Sequence, residues 1–205
     1  RICGYMIKKL KLRLSLYPEN AKFPLFGIGP KIGRTFAERY LKKAYHTVKI
    51  ASGYFSLRGY EIAKNHIGQD VQLHILIGRN RNNTREVEAA VISEIVADFQ
   101  QCEINIMESV RDLLRRIERG QFIIKDARQV KPPFHAKFYI VDKTVLWHGS
   151  ANFSHNGMDI LAEQLSSTKK SKVITMFTEW YDEVASDSKD LLEELVKQLR
   201  AWLNL

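Results

Sequence analysis

The sequence predicts an α/β fold, with a mixed central β-sheet flanked by helices on both faces and one domain per chain. Apolar strand-like runs alternate with amphipathic helical segments up to residue 120, which is typical of a layered sheet with helices packed on it. After residue 120 the pattern changes to short strands joined by tight turns. A chain of 205 residues without an internal repeat or a linker suits a single domain over 1–205.

The first predicted strand covers residues 9–16, where Lys and Arg alternate strictly with Leu. A period of two places Lys9, Lys11 and Arg13 on one face of this strand. We expect them to form a solvated or edge-protecting face in preference to a nucleic-acid contact. Residues 1–24 are therefore interpreted as an N-terminal strand extension of the domain.

The other elements of the first half follow from apolar periodicity and from the positions of Pro and Gly. The strongest helical stripe lies in residues 84–101, where apolar residues recur every three or four positions. In order, the sequence predicts a loop over 17–30, a helix over 31–46, a strand over 47–56, a helix over 57–68, a strand over 71–80, a helix over 84–101, a strand over 102–107 and a helix over 108–120.

The second half reads as a group of strands followed by two closing helices. Short turn-like sequences separate the strands, and the last helix carries a Leu-rich stripe opposite a charged face. In order, the sequence predicts strands over 122–129, 134–141, 144–151 and 159–167, then helices over 172–186 and 188–203. Residues 188–205 are interpreted as a C-terminal helix added to the domain.

Composition and charge narrow the class of protein. Lys and Arg number 32 against 23 Asp and Glu, which gives a net charge of +9. This balance favours a nucleic acid or an acidic membrane surface as partner, although mild basicity also serves solubility. Only Cys3 and Cys102 are present, without a Cys-x-x-Cys, so a zinc cage and a disulfide framework are disfavoured and a reducing, cytoplasmic location is expected.

The ends and the hydropathy of the chain add two expectations. No apolar run approaches the roughly 20 residues of a membrane-spanning helix, so we expect no membrane partner. The sequence does not begin with Met, so further domains of a longer parent chain are compatible with it.

Residues 134–152, FHAKFYIVDKTVLWHGSAN, form a predicted hairpin that carries an unusual number of polar groups. His135, Lys137 and Tyr139 share one face of the first strand, because alternate residues of a strand point the same way. Burying a Lys and a His costs desolvation free energy, which active sites tolerate more often than purely structural positions. Each residue alone has an ordinary explanation: Lys137 can extend to solvent, and Asp142 suits a turn.

The joint spacing is more specific than any single residue. The pattern H-x-K-x4-D-x6-G-S-x-N fits 18 consecutive residues with six specified positions, which makes chance agreement improbable. The matched residues are His135, Lys137, Asp142, Gly149, Ser150 and Asn152. On these residues the chain resembles the phospholipase D superfamily, whose hallmark is this "HKD" motif, and in particular its single-motif nucleases. The resemblance covers roughly residues 25–186.

The resemblance implies a set of catalytic residues. His135 would attack phosphorus to form a covalent phosphohistidine, which water then hydrolyses. Lys137 and Asn152 would stabilise the charge on the phosphoryl oxygens. Glu163 lies eleven residues after Asn152, where the small nucleases of the family have a Glu. It would bind the other ring nitrogen of His135 and fix its tautomer.

The remaining motif residues are expected to support the site. Ser150 would either donate to a phosphate oxygen or hold the loop, while Asp142 and Gly149 are expected to be structural. The family takes a second His from a second copy of the motif, but none of the other five histidines begins an H-x-K. The resemblance therefore implies a homodimer in which two His135 residues meet across a two-fold axis. It implies no metal and no cofactor, and the sequence has no H-E-x-x-H.

The short chain, the single motif, Glu163 and the positive charge favour a nuclease over the other enzymes of the superfamily. The expected member is an endonuclease, with DNA preferred to RNA as the partner. Arg79, Arg81 and Arg85 either line a groove for the nucleic-acid backbone or lie in a solvated loop. Single-motif nuclease domains also occur in restriction enzymes and beside helicases. The alternatives are a phospholipase or phosphatidyl transferase of the same superfamily, and a non-catalytic dimeric module that binds nucleic acid.

Overall fold

The computed structural model describes residues 26–78, 104–127, 130 and 134–204. Within these ranges the strands form one mixed sheet. The strands are β1 (Phe26–Gly29), β2 (Thr47–Ser52), β3 (Gln72–Ile77), β4 (Phe122–Asp126), β5 (Phe138–Val141), β6 (Val145–Gly149), β7 (Glu163–Thr168) and β8 (Lys189–Asp190). Their order across the sheet is β1-β7-β6-β5-β2-β3-β4-β8. The predicted mixed sheet is therefore confirmed.

Helices lie on both faces of the sheet, as predicted. The α-helices of the described ranges are α1 (Ile32–Tyr40), α2 (Leu57–Lys64), α3 (Ile104–Glu118), α4 (Ser171–Ser186) and α5 (Leu192–Leu203). A 3-10 turn, Leu41–Lys43, extends α1, and a π-helical turn, Asn156–Ile160, precedes β7. None of the described helices combines the length and the apolar character that crossing a membrane requires.

Two apolar cores bury the two faces of the sheet. The larger core contains buried side chains of α1, α2, α3 and α5 together with Tyr139 and Trp147 of the hairpin. The smaller core lies under α4, where Phe138 packs edge-on against Phe177 at a centroid distance of 5.0 Å. Phe138 and Tyr139 are neighbours in sequence and enter opposite cores, which is the alternation expected of a strand covered on both faces.

The direction of the strands brings the hairpin to the edge where a functional site forms. Strands β2, β3 and β4 are parallel, so their carboxyl ends share one edge of the sheet. Strand β5 is antiparallel to β2 and pairs Phe138 with Ala51. The residues just before β5, His135 and Lys137, therefore meet the residues just after β2.

Two predicted segments have a different secondary structure. Residues 104–107 are helical, not a strand, because the apolar stripe of α3 continues through Ile106, Val110 and Leu113 at helical spacing. Residues 26–29 were assigned to the predicted loop 17–30 but form β1, an edge strand paired with β7. Gly and Pro favoured a loop there, whereas tertiary pairing of the strand edge decides the structure.

Several strands and helices are shorter than the sequence predicts. β5 begins at Phe138 and not at residue 134, and β7 begins at Glu163 because the preceding residues form the π-helical turn. The predicted strand over 47–56 ends at Ser52, and the last helix starts at Leu192 after the short strand β8. The predicted strand over 9–16, the helix over 84–101, both cysteines and Arg79, Arg81 and Arg85 lie outside the described residues.

Candidate functional site

His135 and Lys137 lie together immediately before β5. The Lys137 ammonium nitrogen is 3.1 Å from Nδ1 and 3.0 Å from Nε2 of His135. It also donates a hydrogen bond of 2.9 Å to the His135 carbonyl oxygen, which fixes the lysine beside the ring. His135 is exposed, so the imidazole is accessible to a substrate at this edge of the sheet.

Asn152 reaches the same point from the segment that follows β6. Its Oδ1 atom accepts a hydrogen bond of 3.0 Å from the backbone N–H of Gly53, just after β2. The Ser52 hydroxyl lies 3.3 Å from the same oxygen. With Oδ1 held in this way, the amide Nδ2 of Asn152 is the end of the side chain that can donate to a substrate.

Gly53 is the residue around which His135 and Asn152 converge. A Cβ atom at this position would lie 2.6 Å from Cδ2 and from Nε2 of His135, and 3.1 Å from Oδ1 of Asn152. Both side chains therefore occupy the space that a larger residue would fill. Gly53 carries no motif of its own in the sequence, although the small residues that end the 47–56 run are a signal for close packing at this point.

Ser150 and Glu163 form a hydrogen-bonded pair beside these residues. The Ser150 hydroxyl donates to Oε2 of Glu163 and accepts a hydrogen bond of 2.9 Å from the backbone N–H of Gln164. Glu163 is only 9% exposed. The carboxylate is therefore buried, and the hydroxyl donor partly compensates its charge.

Electrostatics connect Glu163 to Lys137. Partial burial lowers the pKa of the Lys137 ammonium, because desolvation disfavours the charged form, and the negative charge of Glu163 opposes that shift. The same carboxylate adds to the effect of burial in raising the pKa of Tyr139, which lies behind the site. Lys137 and Glu163 thus act on each other within one cluster.

Asp142 lies at the opposite end of β5, at the turn of the hairpin. Its carboxylate accepts hydrogen bonds from three consecutive backbone N–H groups, those of Tyr45 (2.7 Å), His46 (2.9 Å) and Thr47 (2.7 Å). These bonds join the hairpin turn to the start of β2.

Gly149 ends β6 where β7 approaches it closely. A Cβ atom there would lie 1.9 Å from the backbone oxygen of Gln164, so only glycine fits. His148 and Ser150 flank this point, and the regular alternation of a strand would place them on the same face. His148 instead stacks on Phe177 of α4 and lies 3.2 Å from the Ser166 hydroxyl, whereas Ser150 reaches Glu163. The tight contact at Gly149 ends the regular alternation.

Within the described ranges, no group of three or more His, Cys, Asp or Glu side chains is arranged to hold a metal ion. The predicted site residues lie at two locations in the sheet. His135, Lys137, Ser150, Asn152 and Glu163 lie at the carboxyl edge of β2, and Asp142 lies at the far end of the hairpin. The cluster offers a nucleophile, a cation, an amide donor and a buried carboxylate, which together suit reactions at an anionic phosphorus centre.

Solved structures share this fold at low sequence identity. NucT from Helicobacter pylori has a TM-score of 0.51 and 16% identity over 81% of this chain and 97% of its own. Nuc from Salmonella typhimurium, a phospholipase D family member, has a TM-score of 0.52 and 18% identity over 82% of this chain and 97% of its own. A phosphatidylserine synthase from Haemophilus influenzae has a TM-score of 0.56 and 14% identity over 88% of this chain and 45% of its own.

A family model described as cardiolipin synthase, PLD-like domain, matches residues 38–185. No curated protein sequence matches the chain. The family match covers most of the sequence, from α1 to α4, and contains the motif residues together with Gly53 and Glu163. The chain therefore belongs to the PLD-like domain family of the phospholipase D superfamily.

Proposed function

We propose that this PLD-like phosphodiesterase is a metal-independent endonuclease that hydrolyses DNA through a covalent phosphohistidine. One observation carries the proposal. His135 and Asn152 converge at Gly53 on an accessible edge of the sheet, and the Lys137 ammonium lies within 3.1 Å of both imidazole nitrogens. A phosphodiester bound there would meet a nucleophile and two donors at once.

The reaction would proceed in two displacements at phosphorus. The lone pair of one His135 ring nitrogen attacks phosphorus, the bond to the leaving oxygen breaks, and that oxygen takes a proton from a second histidine. Water then attacks the phosphohistidine, the phosphorus–nitrogen bond breaks, and the proton lost by water returns to the second histidine. Dividing one difficult displacement into two easier ones is the general advantage of covalent catalysis.

Lys137 and Asn152 would stabilise the charge that spreads over the phosphoryl oxygens. Two positive charges about 3 Å apart repel each other. The contact is therefore compatible with a charged lysine beside a neutral imidazole, which is the nucleophilic form. Fixed donors of this kind supply the electrostatic stabilisation that a metal ion supplies in other phosphodiesterases, which supports metal independence.

Ser150 and Glu163 would complete the site. The Glu163 carboxylate accepts a hydrogen bond from the Ser150 hydroxyl. Its negative charge opposes the lowering of the Lys137 pKa by burial and so favours the ammonium form of the lysine. We expect Glu163 also to stabilise the positive charge that His135 acquires as the phosphohistidine forms. Ser150 would hold this carboxylate in place at the start of β7.

Two properties support nucleic acid as the substrate class. The net charge of +9 favours a polyanion over a neutral substrate. The shared fold takes up 97% of NucT and of Nuc but only 45% of the phosphatidylserine synthase, so this chain matches the two smaller proteins nearly end to end. We propose DNA and not RNA as the substrate because of the resemblance to the single-motif nucleases.

The function is tested with a panel of substrates in excess EDTA. We expect the protein to cut labelled DNA at an undiminished rate in EDTA and to release little from labelled RNA or from phospholipid vesicles. Strict dependence on added Mg²⁺ would contradict metal independence. Hydrolysis of the vesicles without cleavage of either nucleic acid would contradict the nuclease proposal.

A second candidate, a phospholipase or phosphatidyl transferase, is favoured by an apolar cleft on the α4 face. The cleft has a volume of about 370 Å³ and is lined by Ala136, Phe138, Met176, Phe177 and Trp180. Met176 is 59% exposed, and Ala136 stands between His135 and Lys137 in the chain. An acyl chain would suit such a cleft, so the vesicle arm of the panel distinguishes this candidate.

We further propose that the active site is shared by two subunits of a homodimer. The proposed mechanism needs a second histidine, and the other histidines differ from His135 in their surroundings. His148 stacks on α4, and His46 lies beside Asp142 at the opposite end of the hairpin. A two-fold axis beside His135 would bring the second imidazole from an identical subunit.

Mixing subunits tests the shared site. Wild-type protein is allowed to exchange subunits with the His135→Ala variant, and DNA cleavage is measured as the ratio changes. If each site needs both histidines, an equal mixture keeps about one quarter of the wild-type activity, because only wild-type pairs are active. A linear decrease to about one half would mean that the second histidine belongs to the same chain, with His155 the first residue to examine.

A further inference from the structure

The segment between Asn152 and Glu163 connects two residues of the proposed active site and contains the π-helical turn Asn156–Ile160. The turn is short, and its ends are closed by backbone bonds from Met158 N–H to the Ser154 oxygen and from Leu161 N–H to the Asn156 oxygen, both 2.8 Å. The turn is therefore close in the chain to both residues.

The inner side of the turn packs directly on the backbone of Asn152. A Cβ atom on Gly157 would lie 2.4 Å from the Asn152 oxygen and 2.6 Å from its nitrogen. The two backbones are therefore in contact without a side chain between them. A displacement of the turn would pass to Asn152 without a flexible side chain to absorb it.

The outer side of the turn is held by α1. The Arg34 guanidinium donates two hydrogen bonds to the Asp159 carboxylate. Nε donates to Oδ1 at 2.7 Å, and Nη2 donates to Oδ2 at 3.0 Å. Such paired bonds restrict orientation as well as distance. The Asp159 side chain is 15% exposed and that of Arg34 is 40% exposed, so the pair is partly shielded from solvent.

The pKa shifts of Arg34 and Asp159 agree with a stable ion pair between them. The hydrogen bond from Arg34 lowers the pKa of Asp159, and the same bond raises the pKa of Arg34. In the folded protein Asp159 is therefore held as a carboxylate. The ion pair with Arg34 is fully formed at every pH above the ordinary pKa of a carboxyl group. It is lost only as the pH falls through the lowered pKa of Asp159.

We propose that Arg34 and Asp159 are positioning residues that hold the Asn152 amide in its catalytic orientation. Neither residue touches the reacting atoms; they act by clamping the Asn156–Ile160 turn between α1 and the Asn152 backbone. The proposal rests on the proposed phosphodiester function. Misplacing a catalytic group by about 1 Å can cost on the order of 10²-fold in rate, so a clamp at this distance has a measurable effect.

The test compares Asp159→Asn with Asp182→Asn. The first keeps the size of the side chain and removes the charge that pairs with Arg34. The second removes the charge of a different ion pair, between Lys49 of β2 and Asp182 of α4, which lies on the α4 face of the sheet. We expect Asp159→Asn to lower kcat by about tenfold with KM within about twofold, the pattern of an interaction used in the transition state. Asp182→Asn is expected to leave both parameters near wild type.

A double-mutant cycle separates positioning from general stability. In an Asn152→Ala background, Asp159→Asn is expected to have little further effect on kcat, because the group that it positions is already gone. Additive losses, or a loss in Asp159→Asn that only follows its unfolded fraction in thermal unfolding, would overturn the proposal. An exchanged pair, Arg34→Asp with Asp159→Arg, is expected to recover part of the lost kcat.

The outcome also distinguishes this inference from the proposed function. If the wild-type protein cuts DNA in EDTA but Asp159→Asn cuts equally fast, the positioning role fails and the nuclease remains. If the folded wild-type protein cuts no phosphodiester, the proposed function itself fails. The difference between wild type and Asp159→Asn should persist at every pH above about 4, where the wild-type carboxylate is charged.

Discussion

Replacing His135 with alanine is expected to reduce DNA cleavage in EDTA by at least about 10³-fold, because loss of a covalent nucleophile costs this much or more in comparable enzymes. The imidazole is the group that would form the bond to phosphorus. Lys137 and Asn152 would remain, but they only stabilise charge. The measurement is the initial rate of cleavage of a labelled DNA, with thermal unfolding recorded on the same samples. His135 is exposed, so the fold should be retained.

A matched control is available in the same hairpin. His148→Ala removes another imidazole, one that stacks on Phe177 on the α4 face and not at Gly53. This variant is expected to keep cleavage within about threefold of wild type, since surface substitutions outside a site have small effects. Equal losses in both variants would mean that the hairpin is disturbed in general. Full activity in His135→Ala would exclude His135 as the nucleophile.

The intermediate offers a second measurement of the same chemistry. Rapid acid-free denaturation during turnover is expected to trap a labelled DNA fragment on wild-type protein, joined through its terminal phosphoryl group by an acid-labile phosphorus–nitrogen bond. His135→Ala is expected to carry no label at this position, and His148→Ala should carry as much as wild type. Labelling of all three proteins would place the covalent bond on another residue.

The motif residues could be predicted from sequence because they are local. His135, Lys137 and Asn152 lie within 18 residues, so one short motif contains all three. Glu163 was predicted from its spacing of eleven residues after Asn152, which the family resemblance supplied. The sheet with helices on both faces followed from the order of periodic segments.

The parts that the sequence did not predict depend on contacts between distant segments. Gly53 meets His135 across the pairing of β2 with β5, and Arg34 meets Asp159 from 125 residues away. No local pattern specifies either contact. The helical start of α3 was mistaken for a strand because a short apolar run is compatible with both structures until its continuation is considered.

Replacing Gly53 with alanine is expected to lower DNA cleavage by on the order of 10²-fold while the fold is kept. The new methyl group would lie 2.6 Å from two ring atoms of His135, so the ring must rotate away. It would also crowd Oδ1 of Asn152 at 3.1 Å and weaken the bond from the Gly53 N–H. The ring is exposed, so its rotation would not disturb a core. We therefore expect the free energy of unfolding to change by less than about 1 kcal/mol.

Gly68→Ala is the matched control, because it adds the same methyl group to an exposed glycine. The nearest atom to a Cβ at Gly68 is a Val71 methyl carbon at 3.4 Å, an ordinary contact. Cleavage by this variant is expected to match wild type. If Gly53→Ala also cut DNA at the wild-type rate, the convergence of His135 and Asn152 at Gly53 would not be the catalytic arrangement. A large loss of thermal stability in Gly53→Ala alone would instead assign the glycine to the fold, since the space beside it would then be needed for packing and not for catalysis.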